Sequence, residues 1–211
     1  MSTFLFLNTY DVNLWNTHQT LIDQNNAGFV KPRDNPSHSL RYASNLFNII
    51  NGDIIIECGT GLQGILSGDS MLYWFNQTNA STIHCIDLSL KWINSVKDVL
   101  GEHSRITYHH EDCFSIVPTI SPIGLIYMDF WTGDGNARER AYLELYKLAS
   151  KPKMILIDDS DHTSPWKQTL IVPKAMSDGY KLIYIGRQTL LIRSDVADQY
   201  NKEIIKIYER I

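Results

Sequence analysis

The stretch Asp53-Ile54-Ile55-Ile56-Glu57-Cys58-Gly59-Thr60-Gly61-Leu62-Gln63-Gly64 constrains this chain more than any other. Three consecutive isoleucines read as a strand buried on both faces, the mark of a parallel sheet. The strand ends in an acid, Glu57, and then in Gly-x-Gly-x-x-Gly at Gly59, Gly61 and Gly64. Glycines there let the backbone turn sharply and let a ligand approach closely. A helix must follow, with free N–H groups at its start. Strand, glycine turn and helix in that order make a loop for a nucleotide-type cofactor.

Two cofactor classes compete for such a loop. The spacing alone fits a dinucleotide. A pyrophosphate is doubly negative, however, and a carboxylate two residues before the first glycine repels it. S-adenosylmethionine (SAM) has no phosphate and bears an ammonium and a sulfonium, so Glu57 suits it.

The remaining chain repeats the strand–helix alternation. Asn35-Pro36 reads as an N-cap followed by proline at the first helical position. Leu40, Ala43, Phe47 and Ile50 then share one helix face, and Gly52 stops the helix. After Gly64 a helical segment offers Met71, Leu72 and Phe75 to the sheet. Thr82 to Asp87 is the second strand, and Trp92, Val96 and Leu100 mark the helix after it. Arg105 to His109 is a third strand; His109 and His110 alternate across it and read as structural. Ile123 to Asp129 is the fourth strand, followed by a helix with Tyr142, Leu145 and Leu148 inward. Lys153 to Asp159 is the fifth, followed by a helix capped at Ser164-Pro165. Tyr180 to Ile185 and Thr189 to Arg193 read as a hairpin. Asp195 can cap a last amphipathic helix.

These elements predict an α/β fold: a Rossmann-like, doubly wound, mostly parallel seven-stranded sheet with a C-terminal antiparallel hairpin. No repeat or linker divides residues 1–211, so one domain is expected. Its parts are an N-terminal arm (1–35), a leading helix (36–52), a cofactor-binding core (53–193) and a C-terminal helix (194–211). The arm, rich in Asn and aromatics, reads as irregular chain laid over the core or as a cover for the substrate mouth.

Ligands in such sheets bind beyond the carboxyl ends of the strands. Glu57, Asp87, Asp129, Asp158 and Asp159 all fall at that edge. Asp87 can hold both ribose hydroxyls of either cofactor class; its alternative is a helix cap, a role that Ser89 could take over. Asp129, Asp158 and Asp159 end two strands expected to be neighbours. Three carboxylates so close repel unless something positive intervenes. A divalent cation with oxygen ligands answers that need, Mg²⁺ first, then Ca²⁺ or Mn²⁺.

The acid-x-Gly-x-Gly segment resembles the first motif of the class I SAM-dependent methyltransferases. Met128-Asp129-Phe130-Trp131 and Ile157-Asp158-Asp159 are similar to the metal-ligand segments of the catechol-type O-methyltransferases. Leu145-Tyr146 with Asp158-Asp159 resembles the macrocin-type sugar O-methyltransferases. The resemblance covers roughly residues 53–193. It implies a divalent-metal-assisted O-methylation of a small-molecule hydroxyl. It also implies adenine contacts from Leu88, Trp131 and Asp112. The catechol family carries a basic lysine just after its Trp, where this chain has Thr132. His162, beside the proposed metal and titrating near neutrality, is the best substitute base, its alternative being a loop histidine without a role, and Asp129 is the other candidate catalytic residue. Two other readings share the loop. One is an NAD-dependent oxidoreductase, against which Glu57 and the hairpin count. The other is a non-catalytic or metal-independent SAM-binding protein, favoured by the absent lysine.

The net charge of −4 gives no reason to propose a nucleic-acid partner or a membrane surface. No apolar run reaches the roughly 18 residues of a membrane span, and Met1 to Leu7 lacks the basic start of a signal peptide. A cytoplasmic protein is expected, with a small-molecule acceptor as partner; a homo-oligomer is compatible with the sequence. The three cysteines, Cys58, Cys85 and Cys113, read as reduced core thiols without zinc-ligand spacing.

Overall fold

The computed structural model describes residues 36–60, 70–131, 138–160, 167–185 and 188–208. The arm at 1–35, Gly61, Gly64 and His162 lie outside the described residues. Helix α1 (Pro36–Ile49) leads into β1 (Ile54–Cys58), and α2 (Ser70–Gln77) into β2 (Thr82–Ile86). Then come α3 (Leu90–Leu100), β3 (Ile106–His109), the short α4 (Cys113–Ile116) with a 3₁₀ turn, β4 (Leu125–Met128) and α5 (Arg138–Leu148). The chain continues with β5 (Met154–Ile157), α6 (Gln168–Ser177), β6 (Tyr180–Ile185), β7 (Thr189–Arg193), α7 (Ser194–Gln199) and α8 (Asn201–Tyr208).

The seven strands form one sheet in the order β3-β2-β1-β4-β5-β7-β6. Strands β1 to β5 run parallel, and β7 pairs antiparallel with both β5 and β6. This is the expected doubly wound sheet with its terminal hairpin. All of β4 and β5 is buried, because helices cover both faces. Successive residues alternate between two apolar layers. Ile55, Leu125, Tyr127, Met154 and Leu156 join the layer under α1, α2 and α3. Ile56, Cys58, Ile126, Met128, Ile155 and Ile157 join the layer under α5 and α6. All three cysteines are buried and free. Among the described residues no helix is long and apolar enough to cross a membrane.

Several local expectations shift. Asn51 ends α1, with φ +49. Its N–H donates to Asn48 O at 3.2 Å, and Gly52 N–H donates to Phe47 O at 2.9 Å. This pair of bonds caps the helix with a left-handed residue, so Gly52 is the residue after the cap. Gly52 is small for another reason: a Cβ there would lie 2.3 Å from the Phe47 ring. In α2, Trp74 rather than Leu72 fills the core beside Met71. In α3 the core residues are Ile93 and, as expected, Val96, and Trp92 is only half-buried. In α5 Tyr146 packs inward while Leu148 is exposed. The last helix is two helices, broken at Tyr200 (φ −112, ψ 21). Asp195 lies in the first turn of α7 and accepts from Arg193 Nε at 2.6 Å.

Phe47 is fully buried and rests on both Gly52 and Gly124, where an added Cβ would come within 2.3 and 2.7 Å of its ring. It locks α1 against the start of β1 and β4. Phe47→Ala should cost about 3–5 kcal/mol, the range for truncating a core phenylalanine. Urea unfolding followed by circular dichroism checks this; a cost under about 1 kcal/mol would show that the glycine-lined slot collapses around the smaller side chain.

Candidate cofactor and acid site

The site lies along the carboxyl edge of β1, β2, β4 and β5. At its centre Gly59 has φ +83, and a Cβ there would stand 2.4 Å from Asp129 O. Only glycine allows the chain to turn this close to β4. Gly59 N–H donates to Ile86 O at 2.9 Å, and Asp129 N–H to Cys58 O at 2.8 Å. The ends of β2 and β4 are thus tied to β1 just where the chain leaves the sheet.

Glu57 is fully buried and faces the helix layer. Its Oε1 accepts from Thr60 Oγ1 and Ser70 Oγ, each at 3.0 Å, and its Oε2 accepts from Trp74 Nε1 at 2.6 Å. Glu57, expected among the cofactor-binding residues, has its described partners within the protein. Its carboxylate pins the first turn of the loop to α2. Burial pushes its pKa up to about 7, against the pull of Ser70, Thr60 and Trp74. Thr60 links this acid to the next one, because its N–H donates to Asp87 Oδ2 at 3.2 Å. Asp87 Oδ1 accepts from Ser89 N–H at 2.6 Å. Ser89, at the start of α3, makes no capping bond with its own side chain. The expectation that Ser89 frees Asp87 thus fails: the two-residue turn makes Asp87 the better-placed acceptor. Burial raises the Asp87 pKa, and the Ser89 and Thr60 N–H groups oppose the rise.

Beside Asp87 opens a cavity of about 500 Å³. Gly59, Ile86 and Leu88 line it, with the aromatic rings of Trp92, Phe114, Phe130 and Trp131. Leu88 and Trp131 are 69% and 72% exposed. Large apolar side chains left open at a cavity rim suit a flat apolar ligand face. The Arg138 guanidinium stacks on the Trp131 ring at 3.8 Å. Asp112 also lines the cavity, and its Oδ1 accepts from Phe114 N–H at 3.0 Å. The charged residues among the described lining are Asp87, Glu111 and Asp112, all acids.

On the other side of Gly59 stand Asp129, Asp158 and Asp159, with one oxygen of each within 4.8 Å of the others. Adjacent strand residues should point to opposite faces. The strand ends at Ile157, and Asp159 has φ +52. That left-handed turn brings both acids together. Among the described residues the positive charge that meets them is Lys167, whose Nζ lies 3.0 Å from Asp129 Oδ1 and 3.2 Å from Asp159 Oδ2. Asp158 Oδ1 accepts from Gln188 Nε2 at 2.6 Å, and the same amide nitrogen bonds the Tyr127 hydroxyl at 3.0 Å. Burial, then the charge on Asp158, hold the Asp129 pKa well above the carboxylate range, and Lys167 pulls it down. Asp129 keeps 34% of its side chain exposed, so solvent screening softens that rise. Burial works against the Lys167 ammonium, but Asp129, Asp159 and Asp158 raise its pKa overall.

The structure thus brings Glu57, Gly59, Asp87, Leu88, Asp112 and Trp131 to one half of the edge. It brings Asp129, Asp158 and Asp159 to the other. Sequence reasoning missed Thr60, Trp74, Gln188 and Lys167. One signal for Lys167 was available: a lysine at the start of a helix opposes the macrodipole and needs a local reason.

Neither a protein-family model nor a curated protein matches the chain in sequence. Solved structures match it in shape. A methyltransferase from Geobacter sulfurreducens aligns over 86% of this chain and 88% of its own, at 13% identity and a TM-score of 0.55. Cofactor-bound Rv0187 from MTB aligns over 87% of this chain and 91% of its own, at 14% identity and a TM-score of 0.52. The likeness is one of fold: the seven-stranded Rossmann-like sheet with its antiparallel hairpin.

Glu57 has a measurable signature. Its pKa rises from 4.5 toward 7 on folding, so between those values the unfolded chain releases a proton that the folded protein keeps. Stability contributed by this group is full below about pH 4.5 and is lost as the pH rises through about 7, by at most about 3 kcal/mol. Glu57→Gln should remove that slope. Urea unfolding of both proteins at about pH 5 and about pH 8 gives the difference; parallel slopes would mean that the donors keep Glu57 ionised throughout.

Proposed function

We propose that the protein is a SAM-dependent methyltransferase that methylates a hydroxyl of a small molecule. One observation carries the reading. A cavity sized for a nucleoside adjoins the glycine turn, and the charged groups of its described lining are three carboxylates. A dinucleotide pyrophosphate would face those charges, whereas SAM carries positive charge and no phosphate. The same feature weighs against the oxidoreductase reading. The folds of the Geobacter methyltransferase and of cofactor-bound Rv0187 agree with it.

Bound there, SAM supplies a methyl group on a sulfonium, which passes to a nucleophilic oxygen in line and leaves S-adenosylhomocysteine. The protein's part is positioning and charge. Asp87, held by Thr60 and Ser89, offers its carboxylate to the ribose hydroxyls. Leu88 and Trp131 close on the adenine faces, and Asp112 stands where the adenine amino group would lie. Asp129 and Asp159, each with about a third or less of its side chain exposed, meet the acceptor hydroxyl and can take its proton.

A divalent ion on Asp129, Asp158 and Asp159 has their grouping in its favour. It has Lys167 against it, since the ammonium already contacts two of the three carboxylates. As arranged, the residues do not fit a divalent ion.

S-adenosylhomocysteine at about 100 Kd should add roughly 2.7 kcal/mol of stability, a melting-point rise of about 5–11 °C. NADH should give none. Asp87→Ala should weaken S-adenosylhomocysteine binding by about 1–3 kcal/mol, roughly 5- to 150-fold. Calorimetric titration reads the affinity, and the melting point of the free variant separately reads the loss of the Thr60 and Ser89 bonds. A shift with NADH and none with S-adenosylhomocysteine would sink the reading. Transfer of labelled methyl from SAM to a panel of small hydroxylated acceptors tests the reaction itself.

A further inference from the structure

The acidic cluster carries its own cation. Lys167 is 2% exposed, and the described surroundings of its ammonium are Asp129 Oδ1, Asp159 Oδ2 and the Tyr142 ring, whose centroid is 5.6 Å away. Burying a lysine costs both hydration and side-chain freedom. This one also stands at the N-cap position of α6, where the macrodipole repels it. Among the described residues the Tyr142 ring and the three acids are what favour a buried lysine at that place, and the acids carry the opposite charge. Asp159 supports this, because its left-handed φ of +52 turns its carboxylate to the ammonium.

We propose that Lys167 is the resident cation of this cluster and takes the place of a divalent ion, so that the site neither holds nor needs one. The first half stands independently of the methyl-transfer reading; the second rests on it. A divalent ion bonds carboxylate oxygens at about 2.1–2.6 Å. With Nζ 3.0 and 3.2 Å from oxygens of two of these carboxylates, an ion on either oxygen of them lies within about 8 Å of the ammonium. At that range the repulsion lowers divalent affinity by at least about a hundredfold. The acids are satisfied in a compatible way: Gln188 donates to Asp158, and the ammonium serves Asp129 and Asp159. Removing the ammonium leaves three carboxylates, one oxygen of each within 4.8 Å of the others, in the grouping of a candidate divalent site.

The test is Mn²⁺ uptake, read by electron paramagnetic resonance and calorimetry, with S-adenosylhomocysteine present. Wild type should take up none at about 1 mM, the weak end of carboxylate sites. Lys167→Met should bind one Mn²⁺ at least about a hundredfold more tightly than wild type. The gain should vanish in Lys167→Met/Asp158→Asn, and Lys167→Arg should behave as wild type. Chelator should leave wild-type methyl transfer unchanged. Stoichiometric Mn²⁺ on wild type, lost in Asp158→Asn, overturns the proposal; so does a folded Lys167→Met that takes up none. If Lys167→Met does not fold, wild type with Asp158→Asn still decides. S-adenosylhomocysteine affinity is measured on each sample, so a failed cofactor reading is told apart from a failed cation reading.

Discussion

The missing side chain at Gly59 is the constraint on which the site depends. With φ +83 and no Cβ, the chain leaves β1 in contact with the backbone at Asp129 and Phe130. Strands β1 and β4 are neighbours in register up to Cys58 and Met128. Past those residues the chain at Gly59 still lies against the backbone of Asp129 and Phe130. The two halves of the edge open there, with Asp87 and the aromatic cavity on one side and the three acids on the other. A larger residue would push β4 away, and both halves would lose their common wall.

Buried charge is handled in two different ways across that wall. Glu57 is surrounded by neutral donors, Thr60, Ser70 and Trp74, and its proton affinity rises. Asp129 and Asp159 are met by a full ammonium. Neutral donors can serve a single carboxylate, since each hydrogen bond offsets part of its desolvation. They cannot offset the mutual repulsion of three, which needs opposite charge. The number of acids in each group therefore decides which solution the fold adopts.

The sheet was legible because its signals are local. Runs such as Ile54-Ile55-Ile56 and Met154-Ile155-Leu156-Ile157 need only their own residues to read as strands buried on both faces. The strand-end acids were legible for the same reason, since each closes such a run. Helix phase was less so. Leu148 and Tyr146 lie two positions apart in α5, and which one faces the sheet depends on how the helix sits. Trp74 and Leu72 in α2 pose the same ambiguity. Lys167 was not read because its partners come from the ends of β4 and β5. The sequence stated the need for a positive charge among Asp129, Asp158 and Asp159, but not that a lysine beyond β5 would meet it.

That lysine does not make the edge positive. Lys167 is 3% exposed in its side chain, against 34% for Asp129 and 27% for Asp159. The ammonium therefore lies behind the carboxylates, and a ligand arriving from solvent meets oxygen before nitrogen. On the other side of Gly59 the cavity presents Asp87, Glu111 and Asp112. Among the described residues, the carboxyl edge thus shows acceptors outward and keeps Lys167 inward. Such a surface selects partners that bring positive charge or hydrogen-bond donors, because each acceptor loses water that something must replace. A sulfonium cofactor with two ribose hydroxyls, next to an acceptor that offers its own hydroxyl, meets that demand on both halves at once. A phosphate ester meets it on neither.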